Sequence, residues 1–241
     1  MKKTIGVLLL VFMVNFASAQ VVIALLFGDK LNKGNLEFGL VLAGSITDIT
    51  DIEAKGKPGF NLGIYLNFNP TKKIYIHLEG IAKGSFGAKD IAPYPIGNDS
   101  LDALLSTGTV LRKIQGFSMP VIVRYRITKL FSAELGVQPN MRLKAHDIFK
   151  STVNDNDLEY TKNVKDEYTW LDFGFNAGVF YKFKDDKKSM GIGIRYFHGV
   201  TDIYKTKAGT QANTAIMFNV TIPVGVGKAQ AQEAKEQSQG K

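Results

Sequence analysis

The sequence predicts an all-β fold, an eight-stranded antiparallel up-and-down barrel that spans a membrane, and three observations carry that prediction. Eight segments alternate apolar and polar residues with a period of two, the mark of strands with one greasy and one polar face. The connections between them alternate long and short, as they do where short periplasmic turns face long extracellular loops. Charged residues gather on the polar face, and none falls on the apolar one. A lysine or arginine facing lipid at the midplane would cost about 2–4 kcal/mol.

The clearest unit runs from Phe117 to Ala145, two strands joined by a turn at Thr128-Lys129. Its first arm places Phe117, Met119, Val121, Val123, Tyr125 and Ile127 on one face, with Arg124 and Arg126 between them. The second sets Phe131, Ala133, Leu135, Val137, Met141 and Leu143 against Ser132, Glu134, Gln138, Asn140, Arg142 and Lys144. Before this hairpin, strands are predicted over residues 35–46, 60–69 and 73–83. The third places Ile74, Ile76 and Leu78 outward and Tyr75, His77, Glu79 and Lys83 inward. After it, strands are predicted over 168–183, 189–200 and 214–224. Long loops are expected at 47–59, 84–112 (with a helical turn at 101–105), 147–166 and 201–213, and short turns at 69–72, 128–129 and 184–188.

The chain has 241 residues. Met1 to Ala19 is laid out as a secretory signal, with Lys2 and Lys3, an apolar run from Ile5 to Phe16, and an Ala17-Ser18-Ala19 cleavage pattern. Residues 20–34 then form a periplasmic segment, 35–226 the barrel and 227–241 a polar tail. Removing Lys2 and Lys3 lowers the formal charge from +8 to +6. The remaining bases are interleaved with acids, so no nucleic-acid partner is expected. There is no cysteine, which excludes disulfides, thiolate metal sites and a thiol nucleophile. No later run reaches the roughly 18 apolar residues of a membrane helix, so a membrane form would be a closed barrel.

The inward face supplies the candidate site. Glu79, Arg124, Arg126, Glu134, Arg142, Asp172 and Arg195 are predicted to form a charge network that fills the lumen. Eight strands leave an interior just wide enough for side chains, so an open channel is not expected. No cofactor or metal is expected either. Asn154 to Asp157 lacks the glycine and terminal glutamate of a calcium loop. Two other readings remain. A soluble, exported lipocalin-like calyx would turn the apolar face inward. An outer-membrane lipid hydrolase would use His146 or His198 with Ser151, Asp147 or Asp202.

The chain resembles the PorT-like outer-membrane β-barrel family. The resemblance lies in A-L-L-F-G-D-K-L at Ala24 to Leu31, L-E-F-G at Leu36 to Gly39, P-V-I-V-R-Y-R at Pro120 to Arg126, D-F-G-F-N-A-G at Asp172 to Gly178 and R-Y-F-H-G-V-T-D-I at Arg195 to Ile203. It implies an eight-stranded barrel in the cell outer membrane, of a family some of whose members act in protein secretion. The role expected of this chain is non-enzymatic, in docking, assembly or secretion. The expected partners are outer-membrane lipid, the barrel-insertion machinery, and an envelope protein met through the outer loops or the tail. The chain departs from such barrels in its end. Strand eight is followed by a polar tail closing on Lys241 and not by an aromatic residue.

Overall fold

A computed structural model describes residues 35–153, 155–186, 189–205 and 209–225. The signal, the periplasmic segment and the tail predicted above lie outside the described residues. In chain order the elements are β1 (Leu36–Ile49), β2 (Lys55–Phe68), β3 (Ile74–Phe86), β4 (Ala88–Lys89), α1 (Asp99–Leu105), β5 (Thr109–Ser118), β6 (Val121–Arg126), β7 (Phe131–Val153), β8 (Asn156–Asn163), a 3-10 turn at Lys165–Glu167, β9 (Leu171–Lys182), β10 (Gly191–Gly199) and β11 (Asn213–Pro223).

The antiparallel pairings close on themselves. β1 pairs β2, β2 pairs β3, and β3 pairs both β5 and β6. Both of these pair β7, which continues through β9, β10 and β11, and β11 returns to β1. β5 and β6 are one wall strand interrupted at Met119-Pro120, because proline brings no N–H to the ladder. The neighbours bridge the gap: Glu79 donates to the Pro120 carbonyl and Met119 to that of Pro139. The ring therefore has eight walls, as predicted.

The predicted orientation holds. Val123, Leu135 and Phe175 are 47, 67 and 53 % exposed, whereas Arg124 and Glu134 are 3 and 2 % exposed. This outward apolar surface is where lipid belongs, and it removes the basis for a soluble calyx.

The extents differ from the reading. The predicted loop at 47–59 is mostly strand, since β1 runs to Ile49 and β2 starts at Lys55. The predicted loop at 147–166 is the end of β7 hairpinned to β8. The loop at 84–112 holds the end of β3, β4, α1 and the start of β5. Asn98 caps α1, its side chain accepting from the Leu101 N–H at 3.1 Å. These stretches were hidden because strand beyond the bilayer meets water, which places no ban on polar residues and blurs the alternation.

Two bulges also shift the faces. β3 carries an extra residue between Ile81 and Gly84. β7 carries one at Leu143, where Gln115 faces Lys144 but Gly116 faces Arg142. A one-residue insertion reverses which face each later residue occupies. Lys83 and Lys144, predicted inward, are exposed on the outside as a result. Beyond the bulges the inside is apolar, and Phe86, Ile114, Phe149, Phe197 and Met217 belong to one buried cluster capped by Leu105 of α1.

Candidate functional site

The lumen toward the turns is built from inward side chains of seven walls. Glu134 of β7 is the hub. Arg124 of β6 donates from Nε to Glu134 Oε1 at 2.6 Å, and its guanidinium lies 3.8 Å from the centre of the Phe180 ring. Arg195 of β10 donates from Nε to Glu134 Oε2 at 3.1 Å and from Nη1 to Glu79 Oε1 at 3.0 Å. A second arm continues from Glu79. His77 Nε2 lies 2.7 Å from Glu79 Oε1, and its Nδ1 lies 2.6 Å from Asn67 Oδ1. Asn67 and the Tyr65 hydroxyl both donate to Glu37 Oε1, and Lys182 Nζ reaches Glu37 Oε2 at 2.9 Å.

The connected set pairs three bases, Lys182, Arg124 and Arg195, with three acids, Glu37, Glu79 and Glu134. Such matching is what a low-dielectric interior demands, because a lone buried charge costs several kcal/mol. His77, Arg195, Glu134 and Glu79 are 0, 1, 2 and 5 % exposed, so this cross-section is filled. Two small cavities interrupt the packing. One of about 10 Å³ touches Ser45, Asn61, Ser118 and Gln138, and one of about 20 Å³ sits at the turn-end mouth beside Tyr75 and Arg126. Each has room for about one water.

Four of the seven predicted network residues meet here: Glu79, Arg124, Glu134 and Arg195. The other three do not join them. Arg126 lies at the mouth, 4.6 Å from the centre of the Tyr75 ring and 3.7 Å from Asp185. Arg142 sits beside the Leu143 bulge and donates to the backbone carbonyls of Tyr168 and Thr169 at 3.1 and 2.8 Å, tying the β8–β9 connection to the wall. Asp172 is inward and buried, but it accepts from Asn140, Asn213 and Thr201 and has no ion pair among the described residues. Glu37, Tyr65 and Asn67 were not named for the network. Their inward positions on β1 and β2 were the available signal.

A further ion pair lies in the outer cap. Arg112 of β5 holds Asp147 of β7 through two hydrogen bonds, at 2.8 and 2.5 Å, and stacks over Tyr168 and Tyr204. Tyr94 donates to Asp147 Oδ2 at 2.7 Å. Burial, and then that hydrogen bond, push the Tyr94 hydroxyl well above the usual tyrosine range. Sequence placed Arg112 and Asp147 in separate loops and missed the pair.

The residues considered for hydrolysis do not assemble. His146 and Asp147 are consecutive on β7 and point to opposite faces, and Asp147 is engaged by Arg112. His198 meets the Tyr196 hydroxyl at 3.2 Å on the exposed surface. Asp202 accepts from the Tyr204 and Gln211 backbone. Among the described residues no three His, Cys, Asp or Glu side chains gather as metal ligands.

A family model described as outer membrane protein beta-barrel domain matches residues 31–205. No curated protein sequence matches the chain. Several solved structures are similar. Ail, the attachment invasion locus protein of Yersinia pestis, is 13 % identical, with 79 % of this chain and 99 % of that one covered and a TM-score of 0.41. Neisserial surface protein A is 11 % identical, with 78 and 97 % covered and a TM-score of 0.39. OprG from Pseudomonas aeruginosa is 9 % identical, with 80 and 96 % covered and a TM-score of 0.35.

Proposed function

The chain belongs to the outer membrane protein beta-barrel domain family and resides in the outer membrane, and on that premise we propose that it is a non-enzymatic docking or assembly component of the cell envelope. The observation that carries this reading is the filled lumen. Glu134 and its two arginines close the barrel toward the turns, and the Phe86–Phe197–Met217 cluster closes it toward the loops. A barrel shut at two levels offers its rims and walls for contact in place of a path for solutes. Its loop end supplies a surface for this. An open groove of about 500 Å³ lies between residues 107–109 and the β7–β8 hairpin, lined by Lys150, Ser151, Asp157 and Glu159.

The finer reading is a PorT-like role in protein secretion, supported by the sequence motifs at Pro120–Arg126 and Arg195–Ile203. In planar bilayers the chain is expected to show no ion conductance. In a deletion strain, secretion of an exported protein into the medium should return with the wild-type chain and stay absent with a variant whose β7–β8 hairpin is shortened. Steady single-channel openings would overturn the closed-barrel reading. Normal secretion in the deletion strain would overturn the secretion role.

A further inference from the structure

The two bulges have a chemical consequence on the outside of the barrel. On β3, β5 and β7 the outward row is apolar up to Leu78, Phe117 and Leu143. Past that row, each of the three strands presents an exposed lysine: Lys83, Lys113 and Lys144. Lys144 pairs in register with Gln115, and Lys113 lies two residues further along β5, so the two are diagonal neighbours. Ser85 also pairs with Gln115, which brings Lys83, two residues earlier on β3, to the same patch. His146 stands opposite Lys113.

Neither Lys83 nor Lys144 would face outward on a regular strand. Both belong to the polar alternation that points into the lumen before the bulges, and the inserted residues turn them out. The rest of the rim is different. Toward the loop end the outward rows carry Ile46 and Asp48 on β1, Pro58 and Phe60 on β2, Ile216 on β11 and Trp170 just before β9, and the exposed Lys55 at the start of β2 is paired with Asp90 at 3.2 Å. The cationic patch is therefore confined to one arc, directly beyond an acyl-facing surface and at the loop end, which faces the outer leaflet.

We propose that Lys83, Lys113 and Lys144 form a lipid-side site for the phosphate groups of the outer-leaflet phosphoglycolipid, with Leu78, Phe117 and Leu143 beneath them against its acyl chains. Charge complementarity selects this occupant. An amphiphile with phosphate above hydrocarbon matches lysine above leucine, and a bis-phosphorylated headgroup is wide enough to meet adjacent strands. This inference goes beyond the docking role and does not depend on it.

The test is a titration of the full chain, refolded in neutral detergent, with bis-phosphorylated lipid A, followed by native mass spectrometry. Each lysine near an anionic headgroup contributes about a five-fold factor. The Lys83→Gln, Lys113→Gln, Lys144→Gln triple variant should therefore bind about 100-fold more weakly, and Lys144→Gln alone about five-fold. Lipid A stripped of its phosphates should bind both chains alike. A control with Lys72→Gln, Lys73→Gln and Lys184→Gln, all exposed at the turn end, should keep wild-type binding. Heat-modified gel mobility checks that each variant is folded, and the single variant stands if the triple does not fold. Undiminished binding by the folded variants would overturn the site. So would equal binding of dephosphorylated lipid to the wild type, an equal loss in the turn-end control, or binding of phosphatidylglycerol as tight as that of lipid A.

Discussion

Toward the turns, β7 points Ser132, Glu134, Gln138 and Asn140 inward and Leu135 and Met141 outward; toward the loops, the same strand points Ala145 and Phe149 inward and Lys144 and Lys150 outward. The first half is a membrane wall and the second a soluble one. Yet the sequence does not change pattern between them. Apolar residues stay at odd positions from Phe131 through Leu135, Met141 and Leu143 to Ala145 and Phe149. What changes is the face, because one extra residue at Leu143 reverses it. β3 behaves alike, with Ile74 and Leu78 outward before its bulge and Phe86 inward after it. The surroundings explain the inversion. Where lipid surrounds the wall, apolar side chains belong outside; where water does, they belong inside.

Inserting one alanine between Lys144 and Ala145 would break this comparison most severely. With the bulge kept and one residue added beyond it, Ala145, Asp147 and Phe149 turn to water and His146 turns inward. The β5–β7–β8 cap should be lost at a cost above about 5 kcal/mol, while the membrane wall keeps its pattern. Limited trypsin digestion of the refolded barrel checks this. Cleavage should concentrate on the Lys144–Lys165 stretch and spare Arg124, Lys182 and Arg195 of the membrane wall. Protection equal to wild type would mean that the residue count past the bulge does not set which face is inside.

The polar region is sharpened by a smaller change. Glu134→Gln leaves Arg124 and Arg195 buried without their shared carboxylate and is expected to destabilise the barrel by about 3–5 kcal/mol. Replacing Glu134, Glu79, Arg124 and Arg195 together by methionine should restore most of that loss, since two acids and two bases leave together and Lys182 stays paired with Glu37. The single tryptophan, Trp170, is exposed on the outside and reports the transition by fluorescence in urea. Equal destabilisation of the single and quadruple variants would show that the network matters for shape and not for charge balance.

The sequence made the membrane half legible and the cap illegible, for one reason. Lipid punishes an outward charge, so alternation is strict from Val121 to Met141 and from Leu171 to Lys182. The wall count, the orientation and four members of the network, Glu79, Arg124, Glu134 and Arg195, followed from it. Beyond the bilayer both faces tolerate polar residues, and 147–166 read as loop although much of it is strand. Bulges leave no local mark either. Nothing about Leu143 or Ala82 distinguishes an inserted residue, so Lys83 and Lys144 were assigned the wrong face. Arg142 and Asp172 had the right polarity, but their partners, a carbonyl pair on the β8–β9 connection and three lumen side chains, depend on long-range register.

The mildest test falls on the cap's own polar contact. Tyr94→Phe removes the hydrogen bond to Asp147 but leaves the ring beside Phe149, 5.1 Å between centroids. The expected loss is about 1 kcal/mol, far below that at Glu134, because Arg112 still holds Asp147. The pH dependence gives a second readout. The Tyr94 hydroxyl is raised in the folded state, by burial first and by Asp147 second. The unfolded chain therefore ionises first, near pH about 10, and stability falls as pH climbs past that point. The sign is that of a group whose folded form is held protonated: its contribution is whole below about pH 10 and fades above it. Tyr94→Phe should flatten that alkaline decline in urea titrations at pH 9 to 11, while Glu134→Gln should leave its slope unchanged. An identical slope for wild type and Tyr94→Phe would separate Tyr94 from the cap's alkaline sensitivity and point to Tyr168, whose hydroxyl burial also raises, as the next group to test.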